Sequence, residues 1–195
     1  ALLKKEKQSL VKDVSKEREF EDIPISDFSE RQRAFVKIQE GCDNFCSYCI
    51  IPYARGRARS RDSESIIKEV LSLSEKGFCE IVLTGISTAS FGKDTGESLL
   101  SLILKIHEIE GVKRIRMGSL DPMLFTDEFT KSIAKLPKMC EHFHLSLQSG
   151  CDSVLANMNR KYKTEDYEKA VRRIRESFKD ASITTDIITG FPGES

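Results

Sequence analysis

The sequence predicts an α/β domain, a partial parallel (β/α) barrel truncated after its fifth strand. Three observations carry this reading. Five short runs have strand character, the first four are each followed by a helical apolar pattern, and every run leads directly into a small or polar segment. In order, Arg33–Gln39 alternates Ala34, Val36 and Ile38 with polar neighbours, as a half-buried strand does. A helix opened by Asp62 or Ser63 follows, with Ile66, Ile67, Val70 and Leu71 on its apolar face and Gly77 ending it. Cys79–Ile86 is the second strand and Ser98–Ile109 the second helix, with Leu99, Leu102, Ile103 and Ile106 on one side. Lys113–Gly118 alternates Ile115 and Met117 with Arg114 and Arg116. Thr126 caps a helix carrying Phe129, Ile133 and Leu136, closed by Pro137. Glu141–Leu147 is the fourth strand, followed by a short helix through Val154 and Leu155 and a long one over Thr164–Phe178; Ser182–Ile188 is the fifth strand.

Strands alternating with helices imply a parallel sheet of right-handed crossovers. The segments after the strands are Gly41–Cys49, Thr84-Gly85-Ile86, Ser119-Leu120-Asp121, Gln148-Ser149-Gly150 and Gly190–Glu194. In a barrel they all share the C-terminal rim, where active sites are built. A flat doubly wound sheet, the rival architecture, would gather only some of them.

With 195 residues the chain is one domain's worth and can bury a core without disulfide staples. Lys and Arg (31) balance Asp and Glu (31), so an argument for nucleic acid must rest on local patches. The sequence has no run of about 18 apolar residues and no signal-peptide pattern, which argues against a membrane partner. Cysteines without an export signal point to a reducing, cytoplasmic setting. Residues 1–30 are charged and weakly patterned and read as a linker from a missing N-terminal domain. Residues 31–195 form the core domain. The chain does not begin with Met and stops at Phe191-Pro-Gly-Glu-Ser195, so this core reads as incomplete at its C-terminal end.

The most specific feature is the run Gly41-Cys-Asp-Asn-Phe-Cys-Ser-Tyr-Cys-Ile50, which sets Cys42, Cys46 and Cys49 at C-x3-C-x2-C spacing. An iron–sulfur cubane is held by one Cys per iron, so three cysteines leave one iron open to a ligand. Structural zinc needs a fourth ligand, and the available partners are His142 and His144, far downstream on what would be one strand face. Cys79, Cys140 and Cys151 are scattered singletons and read as small buried or neutral residues.

Tyr48, just before the last cysteine, completes a pattern that resembles the radical S-adenosylmethionine superfamily. The stretch from Gly41 through Ile50-Ile-Pro-Tyr-Ala-Arg-Gly56 to Arg59-Ser-Arg61 resembles its methylthiotransferases. Leu145-Ser-Leu-Gln-Ser-Gly150 and Thr185-Asp-Ile-Ile-Thr-Gly-Phe-Pro-Gly-Glu194 resemble them too. Leu83-Thr-Gly-Ile86, Phe91-Gly92 and Met158-Asn-Arg-Lys-Tyr162 look most like the branch acting on threonylcarbamoyladenosine in tRNA. The resemblance implies a transferase with a barrel of the radical S-adenosylmethionine type, which adds a methylthio group to that adenosine beside the anticodon. A [4Fe-4S] cluster on Cys42, Cys46 and Cys49 would bind S-adenosylmethionine at its open iron. One-electron reduction, by a flavodoxin- or ferredoxin-like donor, would then yield a 5′-deoxyadenosyl radical.

On the same basis Tyr48 would contact the cofactor adenine, with packing of the loop as its plainer role. Thr84 and Gly85 would sit near the methionine amine, although the usual Gly-Gly-Glu is absent. Gln148 and Ser149 would reach the ribose or carboxylate, and Arg160 the methionine carboxylate; solvated loop positions are the alternative. A second iron–sulfur cluster belongs to the family's N-terminal domain. Arg55, Arg57, Arg59 and Arg61 recur at period two. An extended segment would put all four on one side as RNA-contact candidates, or as a ladder pairing carboxylates around the loop. The other functional readings are a ribosomal-protein methylthiotransferase and a non-catalytic zinc-binding module.

Overall fold

In the computed structural model, which describes residues 13–23 and 33–195, the first strand, β1, is Arg33–Glu40. It is followed by a hairpin instead of an immediate crossover. The chain leaves β1, forms the short helix α1 (Ile51–Ala54) and returns as β2 (Arg59–Ser60), antiparallel to β1 through Gln39–Ser60 and Glu40–Arg59. Neither element shows a sequence pattern, because four and two residues are too short to display a period.

The expected alternation then unfolds. Helix α2 is Ser63–Glu75, with the Asp62 carboxylate accepting the Ser65 N–H at 2.8 Å, and strand β3 is Glu80–Gly85. Helix α3 (Leu99–His107) starts with a reciprocal Ser98/Ser101 capping box. The third expected strand breaks at Gly118 into β4 (Arg114–Met117) and β5 (Ser119–Leu120). Helix α4 (Asp127–Ala134) has Thr126 as its cap, as expected. Strand β6 (His142–Leu145), helices α5 (Asp152–Asn157) and α6 (Thr164–Ser177), and strand β7 (Ser182–Thr184) complete the described chain.

Strands β1, β3 and β4 pair in parallel, as do β5, β6 and β7. A parallel bridge from Ile115 to Met139 joins the two sets, and the register slips by one residue before Ser119 meets His144. The parallel strands therefore run in chain order, with no reversal of the kind that marks a doubly wound sheet. Helices α2, α3, α4 and α6 contact one another in the same sequence and form one outer layer. With this layer on its outer side, the sheet curls into a half-barrel.

The pleat sorts the side chains accordingly. Ala34, Val36, Ile38, Ile81, Leu83, Ile115, Phe143 and Leu145 are buried under the helices. Their alternates Lys37, Glu80, Arg116, His142, His144 and Thr184 fall on the opposite, concave side. There Glu80 pairs with Arg33, Arg114 and Arg116, and Thr184 lies within hydrogen-bond distance of both His142 and His144. The two histidines do share a face. Their ring nitrogens face β7 and Asp186, and neither lines the cysteine cavity.

The expected linker, residues 1–30, lies in part outside the described residues, which omit 1–12 and 24–32. Its described part, 13–23, rests on the core: Asp22 meets Arg61 at 2.7 Å, and the Lys37 ammonium lies 5.4 Å from the Phe20 ring centre. Cys140 is buried as expected, whereas Cys79 and Cys151 are exposed.

Candidate active site

The cysteine loop is a hairpin closed at a narrow neck. Gly41 has φ +68° and Gly56 φ +76°, and the Cys42 N–H donates to the Gly56 carbonyl at 3.1 Å. A Cβ on Gly41 would stand 1.9 Å from the Arg57 carbonyl oxygen. Gly77 has φ +92° with nothing near its missing Cβ. Gly41→Ala should therefore cost more stability than Gly77→Ala, which pays only the left-handed backbone penalty of about 1–2 kcal/mol. Urea unfolding of the two variants checks the order, and equal losses would refute the neck.

A second segment clamps the tip of this hairpin. Asn159 donates through Nδ2 to the carbonyls of Phe45 (2.9 Å) and Asn44 (3.3 Å). The Ser47 N–H donates to Met158 O at 3.1 Å, and its hydroxyl to Asn157 O at 2.9 Å. Phe45 and Asn159 both adopt φ near +50–60°, conformations that non-glycine residues keep only where their surroundings fix them. On the other flank, fully buried Gln39 donates to Glu40 O and Gly41 O and accepts the Ser87 N–H at 2.7 Å. One side chain thus ties the start of the cysteine loop to the segment after β3.

Between these flanks lies an open cavity of about 170 Å³ lined by Cys42, Cys46, Cys49, Tyr48 and Arg160. Ile86 to Ala89, Ser119, Asp121 and Ser146 line it from the ends of the other strands. It sits at the C-terminal rim of the half-barrel, as the segments after the strands predict. A wider depression adjoins it and shares Asn44, Ser87, Ala89 and Asp121; Met123, Leu124 and Phe129 give it apolar walls, and Lys93 and Lys161 also line it.

Tyr48 stands edge-on to Phe191, ring centres 6.5 Å apart, and burial raises its pKa against the opposing pull of Arg160. Arg160 reaches the cysteines directly. Its Nη1 donates to Cys46 Sγ at 3.3 Å, and its Nε to the Tyr162 hydroxyl at 2.9 Å. Burial works against the Arg160 charge, but Tyr162 and Cys46 outweigh it and raise its pKa. Burial pushes Tyr162 up to about 12, so its hydroxyl keeps its proton and donates to the Ser146 and Leu147 carbonyls.

Thr84, Gly85, Gln148 and Ser149 do not line the cavity. Gly85 is packed against Gln39 in the β1–β3 pairing. Gln148 exchanges backbone hydrogen bonds with the Asp186–Ile188 stretch, and Ser149 is buried with its hydroxyl accepting the Cys151 N–H. The cavity is met one to four residues further on after β3, and earlier, at Ser146, after β6. Asp121, Ser87, Ser119 and Ser146 were not singled out from the sequence. Position just past a strand end was the signal they carried, and Ser146 also lies in the Leu145–Gly150 motif.

The four arginines do not share one side, because the segment is not extended throughout. Arg55 ends α1 and stands 4.0 Å from Glu40. Burial would raise the Glu40 pKa, but Lys37, with help from the Gly41 N–H and Arg55, lowers it. Arg57 pairs with Asp43 at 2.8 Å and lies 5.5 Å from the Phe45 ring centre. Arg59 donates to the carbonyls of Arg55 and Arg57. Arg61 is 3% exposed and paired with Glu69 and Asp22, which leaves it no open face for a ligand.

All three loop cysteines are free thiols. Burial, reinforced by the charges of Cys46 and Cys49, raises the Cys42 pKa, so a cationic centre between them would relieve an unfavourable crowding. Among the described residues no three His, Cys, Asp or Glu side chains converge closely enough to hold a single metal ion. Three cysteines bordering one cavity match the donor set of a cubane with one iron left open.

A curled, sequentially ordered half-barrel with three cysteines at its C-terminal mouth defines a class of cluster-binding enzymes, and the family comparison agrees. The model of the radical SAM superfamily matches residues 36–195, and the chain belongs to that superfamily. It is 45% identical over 177 residues to the tRNA-2-methylthio-N(6)-dimethylallyladenosine synthase of Thermoanaerobacter pseudethanolicus, covering 90% of this chain and 37% of that protein. Over 194 residues it is 42% identical to the threonylcarbamoyladenosine tRNA methylthiotransferase MtaB of Aquifex aeolicus, covering 100% of this chain and 47% of that one. The chain thus spans less than half the length of these relatives. In fold it is similar to the radical S-adenosylmethionine methyltransferase TsrM from Kitasatospora setae, with a TM-score of 0.68 and 21% identity over 84% of this chain and 32% of that one.

Proposed function

We propose that the chain is the catalytic core of a radical S-adenosylmethionine tRNA methylthiotransferase. The observation that carries this reading is the single cavity bordered by Cys42, Cys46 and Cys49 together with Tyr48 and Arg160, in a chain 42–45% identical to two such enzymes. Cys42, Cys46 and Cys49 hold a [4Fe-4S] cluster. When bound, the cluster and S-adenosylmethionine supply one-electron chemistry that ends in removal of a hydrogen atom from the substrate.

The chain's own residues bind and aim. Arg160, anchored through Nε and Nη1 on Tyr162 and Cys46, would direct its charge at the cofactor carboxylate. Tyr48 offers a ring face for its adenine. Ser87, Ser119, Asp121 and Ser146 supply polar contacts from the rim. The adjoining apolar depression suits the base to be modified, and Lys93, Lys161 and the partly exposed Arg55 and Arg57 suit its flanking phosphates. On this reading residues 1–30 lead in from a domain carrying the second cluster, the protein is cytoplasmic, and a flavodoxin- or ferredoxin-like donor supplies the electron. Among the described residues no helix is long and apolar enough to cross a membrane.

Threonylcarbamoyladenosine is the substrate favoured by the Thr84–Ile86 and Asn159–Tyr162 motifs. The 45% identity to a dimethylallyladenosine enzyme makes that adenosine the second reading. Anaerobic reconstitution with iron and sulfide should give a reducible cubane and 5′-deoxyadenosine on addition of S-adenosylmethionine and dithionite. Mass spectrometry of tRNA nucleosides from cells expressing the full-length protein should then show which adenosine gains the methylthio group. A tightly held zinc with no cubane would overturn the reading, and methylthiolated ribosomal protein with unchanged tRNA would replace the substrate.

A further inference from the structure

The Arg160–Cys46 contact has no part in the resemblance, which places Arg160 only at the cofactor carboxylate. Its geometry is built from both ends. Tyr162 is 3% exposed, and its hydroxyl donates to the carbonyls of Ser146 and Leu147 at the end of β6. That leaves the phenol oxygen to accept the Arg160 Nε–H at 2.9 Å, while Nη1 donates to Cys46 Sγ at 3.3 Å. The Arg160 guanidinium carbon also lies 4.7 Å from the Tyr162 ring centre. A polar chain thus runs from the barrel wall through a buried phenol to one cluster-ligand sulfur and ends in a fixed positive charge. Hydrogen bonds to cluster sulfurs and local charge are the protein's main controls over reduction potential.

We infer that Arg160, held in place by Tyr162, is a positioning residue that raises the reduction potential of the cluster through its hydrogen bond to Cys46. The inference rests on the cluster assignment above. The half-reaction is addition of one electron, from a low-potential one-electron donor, to the oxidised cluster, with no bond made or broken. The reduced cluster is the more negative state, so a cation hydrogen-bonded to its ligand favours it. Removing the cation must make reduction harder. Tyr162 touches no cysteine in this arrangement: its contact toward the cluster ligands runs through Arg160, and its other bonds go to the Ser146 and Leu147 carbonyls.

The test is an EPR-monitored titration of the reconstituted protein with dithionite and mediators, without S-adenosylmethionine, for wild type, Arg160→Gln, Arg160→Lys and Tyr162→Phe. Midpoint potentials should move negative in Arg160→Gln, less far in Tyr162→Phe, and be partly restored in Arg160→Lys, with iron and sulfide content and EPR line shape unchanged. Potentials equal to wild type in Arg160→Gln and Tyr162→Phe would overturn the inference while leaving the cluster assignment intact. Absence of a reducible cubane in the wild type would remove the assignment itself. Should Arg160→Gln fail to retain iron, Tyr162→Phe, which keeps every ligand and the guanidinium, decides alone.

Discussion

Replacing any one of Cys42, Cys46 and Cys49 with Ala is expected to abolish cluster binding and S-adenosylmethionine cleavage, while Cys79→Ser, Cys140→Ser and Cys151→Ser leave both near wild type. The three loop cysteines border the candidate cavity, and the other three do not. Loss of an outer partner of a metal ligand typically costs 10–100-fold in affinity, so loss of a ligand from a three-thiolate site should exceed about 100-fold. Iron per chain after reconstitution, the charge-transfer absorbance of the cluster and 5′-deoxyadenosine yield are the measurements. Cys46→Ala carries a second consequence, since it also strips Arg160 of its acceptor. Wild-type iron content in any of the three loop variants would mean that the cavity is not the cluster site. A similar iron loss in Cys140→Ser would shift attention to the inner barrel wall.

The contrast among the six cysteines also shows what a sequence can display. Three cysteines within one short loop are legible as candidate ligands because a single metal centre demands nearness, and nearness along the chain supplies it. The barrel was legible for a comparable reason: apolar residues at period two in Arg33–Gln39 and at helical spacing in the Ile66–Val70 helix are each set by burial on one side. The hairpin was not. Helix α1 and strand β2 owe their conformations to the Gly41–Gly56 neck and to pairing with β1, which are contacts between residues well apart in sequence. Period two in Arg55 to Arg61 suggested one extended face, but the turn of helix α1 and the buried carboxylate of Glu69 sent the four side chains to four different environments.

The remaining candidates lie partly outside the cavity for a geometric reason. A parallel strand announces its own C-terminal end, but not which residue beyond it turns inward. Gly85 is spent on close approach to Gln39, and the cavity is met only from Ile86 onward. After β6 the offset runs the other way, with Ser146 at the cavity and Gln148 and Ser149 committed to the loop's own hydrogen bonds. Asn159 and Tyr162 act through carbonyls, and a side chain that recognises backbone leaves no complementary residue type to notice.

Breaking the Arg61–Glu69 pair singly should cost about 3–5 kcal/mol, while removing both partners together should restore most of that loss. The two side chains are 3% and 4% exposed, so either substitution alone leaves a buried charge without its partner across the pair. Arg61→Met leaves the Glu69 carboxylate buried. Glu69→Leu leaves a guanidinium still bonded to Asp22 at 2.7 Å and to the Ser65 hydroxyl at 3.1 Å, and should be the milder of the two. The Arg61→Met/Glu69→Leu double variant exchanges a desolvated pair for apolar packing of similar bulk. Asp22 is more than a third exposed, so Asp22→Ala should cost at most about 1 kcal/mol. Urea unfolding of the four variants gives the cycle, and additive losses in the double variant would show that the pair is not coupled. The position links this stability to the site. The Arg61 N–H donates to Ile38 O at 2.9 Å, directly beside the Gln39–Ser60 pairing that closes the cysteine hairpin. Arg61→Met should therefore lose iron faster to a chelator than the double variant, although the two lack the same guanidinium. The buried Glu69 carboxylate deprived of this guanidinium, and not the missing arginine side chain itself, is what loosens the stem of the loop.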